Sequence, residues 1–262
     1  MKQLKDLLIS SEKEPRKNIA FFNGVLVFIF LVGLLYLAFS KIDYTYRWKD
    51  TVIAYREKFY IGFLLTIKIS FFSLIVSLII GTLSALAVKS KILFIRYFVR
   101  TYIEVIRGTP LIVQIYIFFY VVGTAINIEN RYLMGILIMS LFSGAYVSEI
   151  MRSGLESIDK SQYETAKSLG LSRFQLYRYI ILPQVIKRVM PPLAGQFGSL
   201  IKDSSLLSII AVNEFTKNVQ EVDSLTFAPI ENYLALALGY IILTYPISYI
   251  SKRLERKFNY ES

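Results

Sequence analysis

Six runs rich in apolar residues, at roughly 19–40, 60–88, 109–126, 132–151, 190–212 and 231–251, restrict this chain more than any other feature. A helix needs about 20 apolar residues to cross a hydrocarbon core, and each run approaches that length. Inside a bilayer every backbone N–H and C=O must be bonded within the protein, so a segment of this kind crosses as a helix. The reading is an all-α integral membrane protein of about six transmembrane helices. Composition agrees, since 55% of the residues are hydrophobic and the mean hydropathy is +0.50, against about 45–50% apolar residues in soluble domains.

The net charge of +11 would suit nucleic acid in a soluble chain, but in a membrane protein its distribution reports topology. With alternating sides, 21 of the 30 Lys and Arg fall on the amino terminus, residues 89–107, residues 152–190 and the carboxyl terminus, and seven fall opposite. Cytoplasmic loops collect these residues, so both termini and the 161–183 loop are expected in the cytoplasm. The run Ile19 to Ser40 exceeds the roughly 7–15 residues of a signal-peptide core and reads as a retained anchor helix. The chain contains no cysteine and no histidine. That excludes disulfides, thiolate metal sites and imidazole bases, and no metal site is expected. An ATPase is excluded too, because there is no G-x-x-x-x-G-K-[ST] loop to hold phosphates.

Between the apolar runs lies one polar segment of defined shape, SQYETAKSLGLSRFQLYRYIILP, from Ser161 to Pro183. Ser161 with Glu164 matches a capping box, Gly170 follows where a helix ends, and Ser172 with Gln175 repeats the box. Pro183 is expected to stop the second helix, giving a helix, a glycine turn and a helix. Two further local signals stand out. Residues 92–107 interleave aromatic and aliphatic residues with Arg96, Arg100 and Arg107, as in an amphipathic helix at the cytoplasmic interface. Thr109 and Pro110 are expected to cap and start the third span.

Glu164-Thr165-Ala166, Gly170 and Ile180-Ile181-Leu182-Pro183 together resemble the EAA loop of ATP-binding cassette importer permeases, E-x-A-x3-G-x9-I-x-L-P, with Thr165 in place of the usual alanine. Arg107-Gly108-Thr109-Pro110, Gly144-Ala145-Tyr146 with Glu149, and Lys202-Asp203-Ser204-Ser205-Leu206 extend the resemblance to the polar amino-acid uptake branch. The resemblance covers roughly residues 60–252. It implies a five-helix permease core there, an amino-terminal extension at 1–59 with one transmembrane helix and an extracytoplasmic loop, and a cytoplasmic tail at 253–262. It also implies that Glu164, Ala166, Gly170, Leu182 and Pro183 couple the chain to an ATPase. The implied partners are two ATP-binding cassette subunits, which would carry ATP and Mg, a second permease subunit, an extracytoplasmic substrate-binding protein and an amino acid. No cofactor is expected in the chain itself, and the implied location is the bacterial inner membrane.

Charged groups inside spans cost on the order of 2.5–3.5 kcal/mol and rarely lack a role. Lys202 and Asp203, with Ser204 and Ser205 beside them, either form an internal ion pair that fixes packing or line the substrate path or its gate. Glu149 either meets an α-ammonium group or pairs with Arg152 one turn on. Gln114 is expected to bond between helices. A serine-lysine dyad at Lys202 and Ser204 or Ser205 has no oxyanion geometry to support it. The expected function is import of a polar amino acid by ATP-driven alternating access. The alternative is an ion-coupled secondary transporter, which should show matching broken helices in two repeats, whereas only the fifth run looks interrupted.

Overall fold

The structure is a computed structural model that describes residues 17–41 and 44–259. All regular elements among the described residues are helical. The chain divides into two units, residues 1–46 and 47–262. The first holds helix α1 (Lys17–Ser40), which is apolar all round, with Phe21, Phe28 and Tyr36 exposed. Such a helix has no polar face to give to water and suits a surround of lipid. Lys2, Lys5, Lys13 and Arg16, which entered the topology count, lie outside the described residues.

The second unit starts with a π-helical turn (Lys49–Ile53), then α2 (Arg56–Ala87), α3 (Leu93–Gly108) and α4 (Leu111–Tyr116, prolonged by a π-helical stretch Ile117–Gly123). α5 (Arg131–Glu156) and α6 (Lys160–Ser168) follow. The short α7 (Arg173–Gln175) is prolonged by a π-helical stretch Leu176–Ile181 into α8 (Leu182–Asp203), and a 3-10 stretch Ser204–Ile210 ends that arm. α9 (Phe215–Thr226) and α10 (Pro229–Asn259) complete the unit.

Six apolar runs do not become six equal spans. By length and apolarity, α2, α5 and Pro229–Phe258 of α10 can each cross a membrane, with a fourth if α3 and Leu111–Gly123 count as one span bent by 115°. The described apolar stretch of α1, Phe21–Leu34, is shorter. The fifth run covers the distal part of α8 and the 3-10 stretch after it, and α8, which carries Lys187, Arg188, Lys202 and Asp203, is not among the helices apolar enough to cross. Thr109 and Pro110 also differ from expectation. The next helix starts at Leu111, Pro110 is its extended N-cap, and Thr109 belongs to the end of α3, donating its hydroxyl to the Val105 carbonyl at 2.8 Å. Gln114 fixes this bend by donating to the Ile106 carbonyl at 2.7 Å and to Thr109 Oγ1 at 2.8 Å. It therefore satisfies carbonyl groups that the end of α3 leaves open, as a membrane-embedded break requires.

α2 and α5 form the central pair. α2 buries Thr66, Ser70, Ser73, Ser77, Gly81 and Ser84 at helical spacing, against Ser140, Ser143, Gly144 and Ser148 of α5. Lipid tails give no hydrophobic drive for helix association, so close backbone approach and interhelical hydrogen bonds hold such a pair. Ser73 Oγ donates to the Ile136 carbonyl, and Ser140 Oγ to the Ser73 carbonyl. A methyl at Gly81 would lie 2.5 Å from Val147 Cγ1. Around the pair, Ile69, Ile115, Ile138, Met139, Leu200 and Leu207 join α2, α4, α5, α8 and the 3-10 stretch in one core.

At the other end of α2, the fully buried Glu214 serves as a hub. Its carboxylate caps α9 by accepting from the amides of Thr216 (2.9 Å) and Lys217 (2.8 Å), and it also accepts from Tyr240 Oη (3.1 Å) and Thr66 Oγ1 (3.4 Å). One side chain thus ties α2, α9 and α10. Gly81→Val should lower the thermal midpoint of the purified protein in detergent by the equivalent of about 1–3 kcal/mol, the cost of overpacking. Gly195→Ala, whose new methyl meets only Ser251 Oγ at 3.9 Å, should leave the midpoint nearly unchanged.

Candidate functional site

The 161–183 loop has the expected helix, glycine turn and helix, with two corrections. The first helix starts earlier than the Ser161–Glu164 pattern suggests. Asp159 is the N-cap, in extended geometry, and its carboxylate accepts from the Ser161 amide at 2.7 Å. Ser161 then sits inside α6, and Glu164 is not part of a capping box. Asp159 stands two residues sooner and caps as well as serine does, and the Gln162 side chain three residues on bonds Gln184 instead of closing a box. The Ser161 hydrogen bond holds the exposed Asp159 carboxyl below its usual pKa.

The end of α6 follows the sequence reading closely. Gly170 has φ +70°, the Gly170 amide donates to the Lys167 carbonyl, and the Leu171 amide reaches back to the Ala166 carbonyl at 3.1 Å. These two bonds make a Schellman motif, which requires a left-handed residue where Gly170 stands. The Ser172–Gln175 capping box is formed in both directions.

The second correction concerns Pro183, which does not end the helix. Backbone angles stay in the right-handed helical region through Leu176, Ile181 and Leu182, so the chain is helical from Arg173 to Asp203. Proline lacks a donor, but the wider π turn directly before it absorbs the defect, and Gln184 Nε2 donates to the Ile180 carbonyl at 3.0 Å. Pro191 and Pro192 likewise lie within α8.

The loop is fastened to α5. Ile158, Ile181, Val185 and Val189 form a buried cluster with Met151 and Leu155 of α5 packed on it. The Gln184 and Gln162 side-chain amides bond to each other, with Gln184 Nε2 to Gln162 Oε1 at 2.6 Å, and the Arg188 guanidinium donates to the Ser157 carbonyl. Of the proposed coupling residues, Ala166 is buried, whereas Glu164, Gly170, Leu182 and Pro183 are exposed. Leu169 and Phe174, both more than 70% exposed, add an uncovered apolar surface at the same end.

Glu149 is already engaged. Its carboxylate accepts from Arg152 Nε (3.0 Å) and Nη2 (2.9 Å) and pairs with Arg107 Nη1 at 3.1 Å. Arg152 continues to Glu156 at 2.6 Å, and Lys89 approaches Glu156 at 3.9 Å. This chain of charges ties the ends of α2 and α3 to α5 beside an open cleft of about 440 Å³ lined by Glu149, Arg152, Ser153, Ser157 and Arg188. Lys202 and Asp203 do not form the ion pair that was one reading of them, since helix geometry points neighbours apart. Lys202 is exposed and Asp203 half-buried. Ser204 is buried and bonds the Ile201 carbonyl at 2.8 Å, Ser205 is half-buried, and the change from α to 3-10 geometry falls at Ser204. Sequence reasoning missed Arg188 and the Gln162–Gln184 pair, because partners 22 residues apart leave no local pattern. Glu214 was also missed as a cap, since glutamate is not a favoured N-cap residue.

Residues 77–260 match the family described as binding-protein-dependent transport system inner membrane component. The putative glutamine transport system permease protein GlnP of Rickettsia prowazekii (strain Madrid E) is 36% identical over 197 residues, which cover 75% of this chain and 90% of the relative. The glutamine transport system permease protein GlnP of Escherichia coli (strain K12) is 36% identical over 198 residues with the same coverage. Among solved structures, the crystal structure of an amino acid ABC transporter with histidines superposes with TM-score 0.75 and 31% identity, over 82% of this chain and all of that one. An inward-facing MetNI methionine ABC transporter shares the fold, with TM-score 0.59 at 14% identity, over 77% of this chain and 94% of that one. The chain belongs to the binding-protein-dependent inner membrane component family. It is a permease subunit of an ATP-binding cassette importer, located in the membrane.

Because folding lowers the Asp159 pKa, the charged cap stabilises α6 above the unfolded carboxylate pKa, and this contribution is lost as pH falls through the lower folded value. The protection factors of the α6 amides, taken relative to intrinsic exchange at each pH, should therefore fall as pH drops through the folded value. Asp159→Asn, a comparable cap without charge, should remove that pH dependence.

Proposed function

We propose that this chain imports a polar amino acid by ATP-driven alternating access, as one of two permease subunits joined to two separate ATPase subunits and an extracytoplasmic binding protein. ATP and Mg would then be held by the ATPase subunits. The observation that carries the reading is the unbroken helical path from the exposed 161–183 loop to Lys202 and Asp203. A push on the exposed end, where Glu164, Leu169 and Phe174 stand free, has a stiff route to the distal charges. In this reading residues 60–252 form the transporting unit, both termini are cytoplasmic and the loop faces the ATPase. The matched family supports this reading over the ion-coupled alternative.

Glutamine is the first cargo to test, because the Rickettsia and Escherichia relatives carry it in their names. An amino acid needs a cation for its carboxylate and an anion for its ammonium group. Lys202 and Asp203, unpaired with each other, fit those needs better than Glu149, whose oxygens Arg107 and Arg152 occupy.

Proteoliposomes holding the complete transporter should take up glutamine with internal or external ATP, according to the side on which the ATPase faces, and should do so without an ion gradient. Uptake driven by a sodium or proton gradient alone would contradict the proposal. Gly170→Val forces a branched residue into φ +70° and should sharply reduce copurification with the ATPase while membrane insertion persists. Lys202→Met should impair uptake more than Glu149→Gln impairs apparent substrate affinity. Normal uptake in Lys202→Met would make that charge structural.

A further inference from the structure

Helix α3 is docked over only half its length. Tyr102 donates to the Leu141 carbonyl at 2.6 Å, Ile103 and Ile106 are buried, and Arg107 pairs with Glu149. The preceding turns are open: Leu93, Phe94, Tyr97 and Phe98 are between 60% and 78% exposed. The uncovered part has two faces. Phe94, Phe98 and Val105 recur at i, i+4 and i+11, which places them on one side of a helix. Arg96, Arg100 and Arg107 recur at the same spacing and therefore lie along another side, and Lys89 and Lys91 precede them. Phe94 and Phe98 stack with centroids 6.3 Å apart, so the aromatic face is a continuous surface.

We propose that this half of α3 is a binding surface for anionic phospholipid, with the two phenylalanines in the acyl boundary and Lys91, Arg96 and Arg100 on the headgroup phosphates. The 115° bend at Thr109 and Pro110 turns α3 out of the line of the core-packed α4, as a helix lying along an interface must be turned. A stripe of arginine beside a stripe of phenylalanine is the pattern of a helix seated at the headgroup boundary. Charge selects the lipid. Lys89 and Arg107 have carboxylate partners, but Lys91, Arg96 and Arg100 form no ion pair among the described residues, and Arg96 is held toward the turn by the Ser90 carbonyl at 2.6 Å. Juxtamembrane cations attract anionic headgroups. A second copy of the chain is a poorer occupant, because a two-fold contact would set this cationic patch against itself.

The test uses the full chain in bilayers. The only tryptophan, Trp48, is replaced by phenylalanine, and Phe98→Trp places a reporter on the proposed surface. Brominated phosphatidylglycerol should quench this tryptophan with a severalfold preference over brominated phosphatidylcholine, and Lys91→Gln with Arg100→Gln should bring the preference toward one. Equal quenching by both lipids in the parent overturns the proposal, as does a preference that survives the double substitution. Absence of quenching by either lipid also overturns it, by showing that protein covers α3. None of these readouts depends on the cargo or on ATP, so they stand apart from the transport proposal.

Discussion

The amide donor missing at Pro183 is the point on which the continuity of the helix from Arg173 to Asp203 depends. A helix that lost this hydrogen bond without compensation would kink or stop, and the loop would hang from a joint. Here the π-helical stretch Leu176–Ile181 meets the proline, and the Gln184 side chain supplies a donor to the Ile180 carbonyl. The path from Arg173 to Asp203 then has a contour of about 45 Å at the α-helical rise, comparable with a whole bilayer including headgroups. Its near end lies beside Glu164 and Gly170. Its far end carries Lys202 and Asp203 and changes to 3-10 geometry at Ser204.

That arm is useful only if it bears on a firm partner. α5 supplies one, because its small residues let it lie close to α2 and its carboxyl-terminal end lies beside two sets of fastenings. One set is apolar, through Met151 and Leu155 of α5 against Val185 and Val189, with the Gln162–Gln184 pair tying α6 to α8 beside it. The other is ionic, from Arg107 through Glu149 and Arg152 to Glu156. The partners are partly exposed, so each ion pair adds little stability by itself, about 0–1 kcal/mol. Their effect is on geometry: they hold the end of α3, and with it the Gln114-braced bend into α4, against the same helix that carries the loop.

Much of this was legible in the sequence, and the exceptions have physical reasons. Gly170 and the Ser172–Gln175 box were readable because caps and left-handed turns depend on residues a few positions apart. The start of α6 falls two residues before the Ser161–Glu164 pattern because two good cap residues stand close together, and the chain takes the earlier one, Asp159. Pro183 was misjudged because a rule about α-helices does not anticipate a π turn upstream. Glu149 could be narrowed to Arg152 from spacing alone, but Arg107 arrives from another helix. The six apolar runs identified a membrane protein correctly, and Thr109–Pro110 marked the break before the third run, yet hydropathy cannot show that the amphipathic helix meets that run at 115° or that the fifth run continues a polar loop helix. Lys202 and Asp203 form no ion pair with each other, as the sequence rule that adjacent helical residues do not face each other requires, and the change to 3-10 geometry follows directly at Ser204.

The central claim is that the loop and α8 move as one stiff arm. Spin labels at Leu169 and Ser205 of one chain, and at Leu169 in both permease subunits of the assembled transporter, allow the two distances to be measured with and without ATP. The account predicts that the distance within the chain stays constant while the distance between the two loops shortens on ATP binding. A change in the Leu169–Ser205 distance while the two loops keep their separation would contradict it.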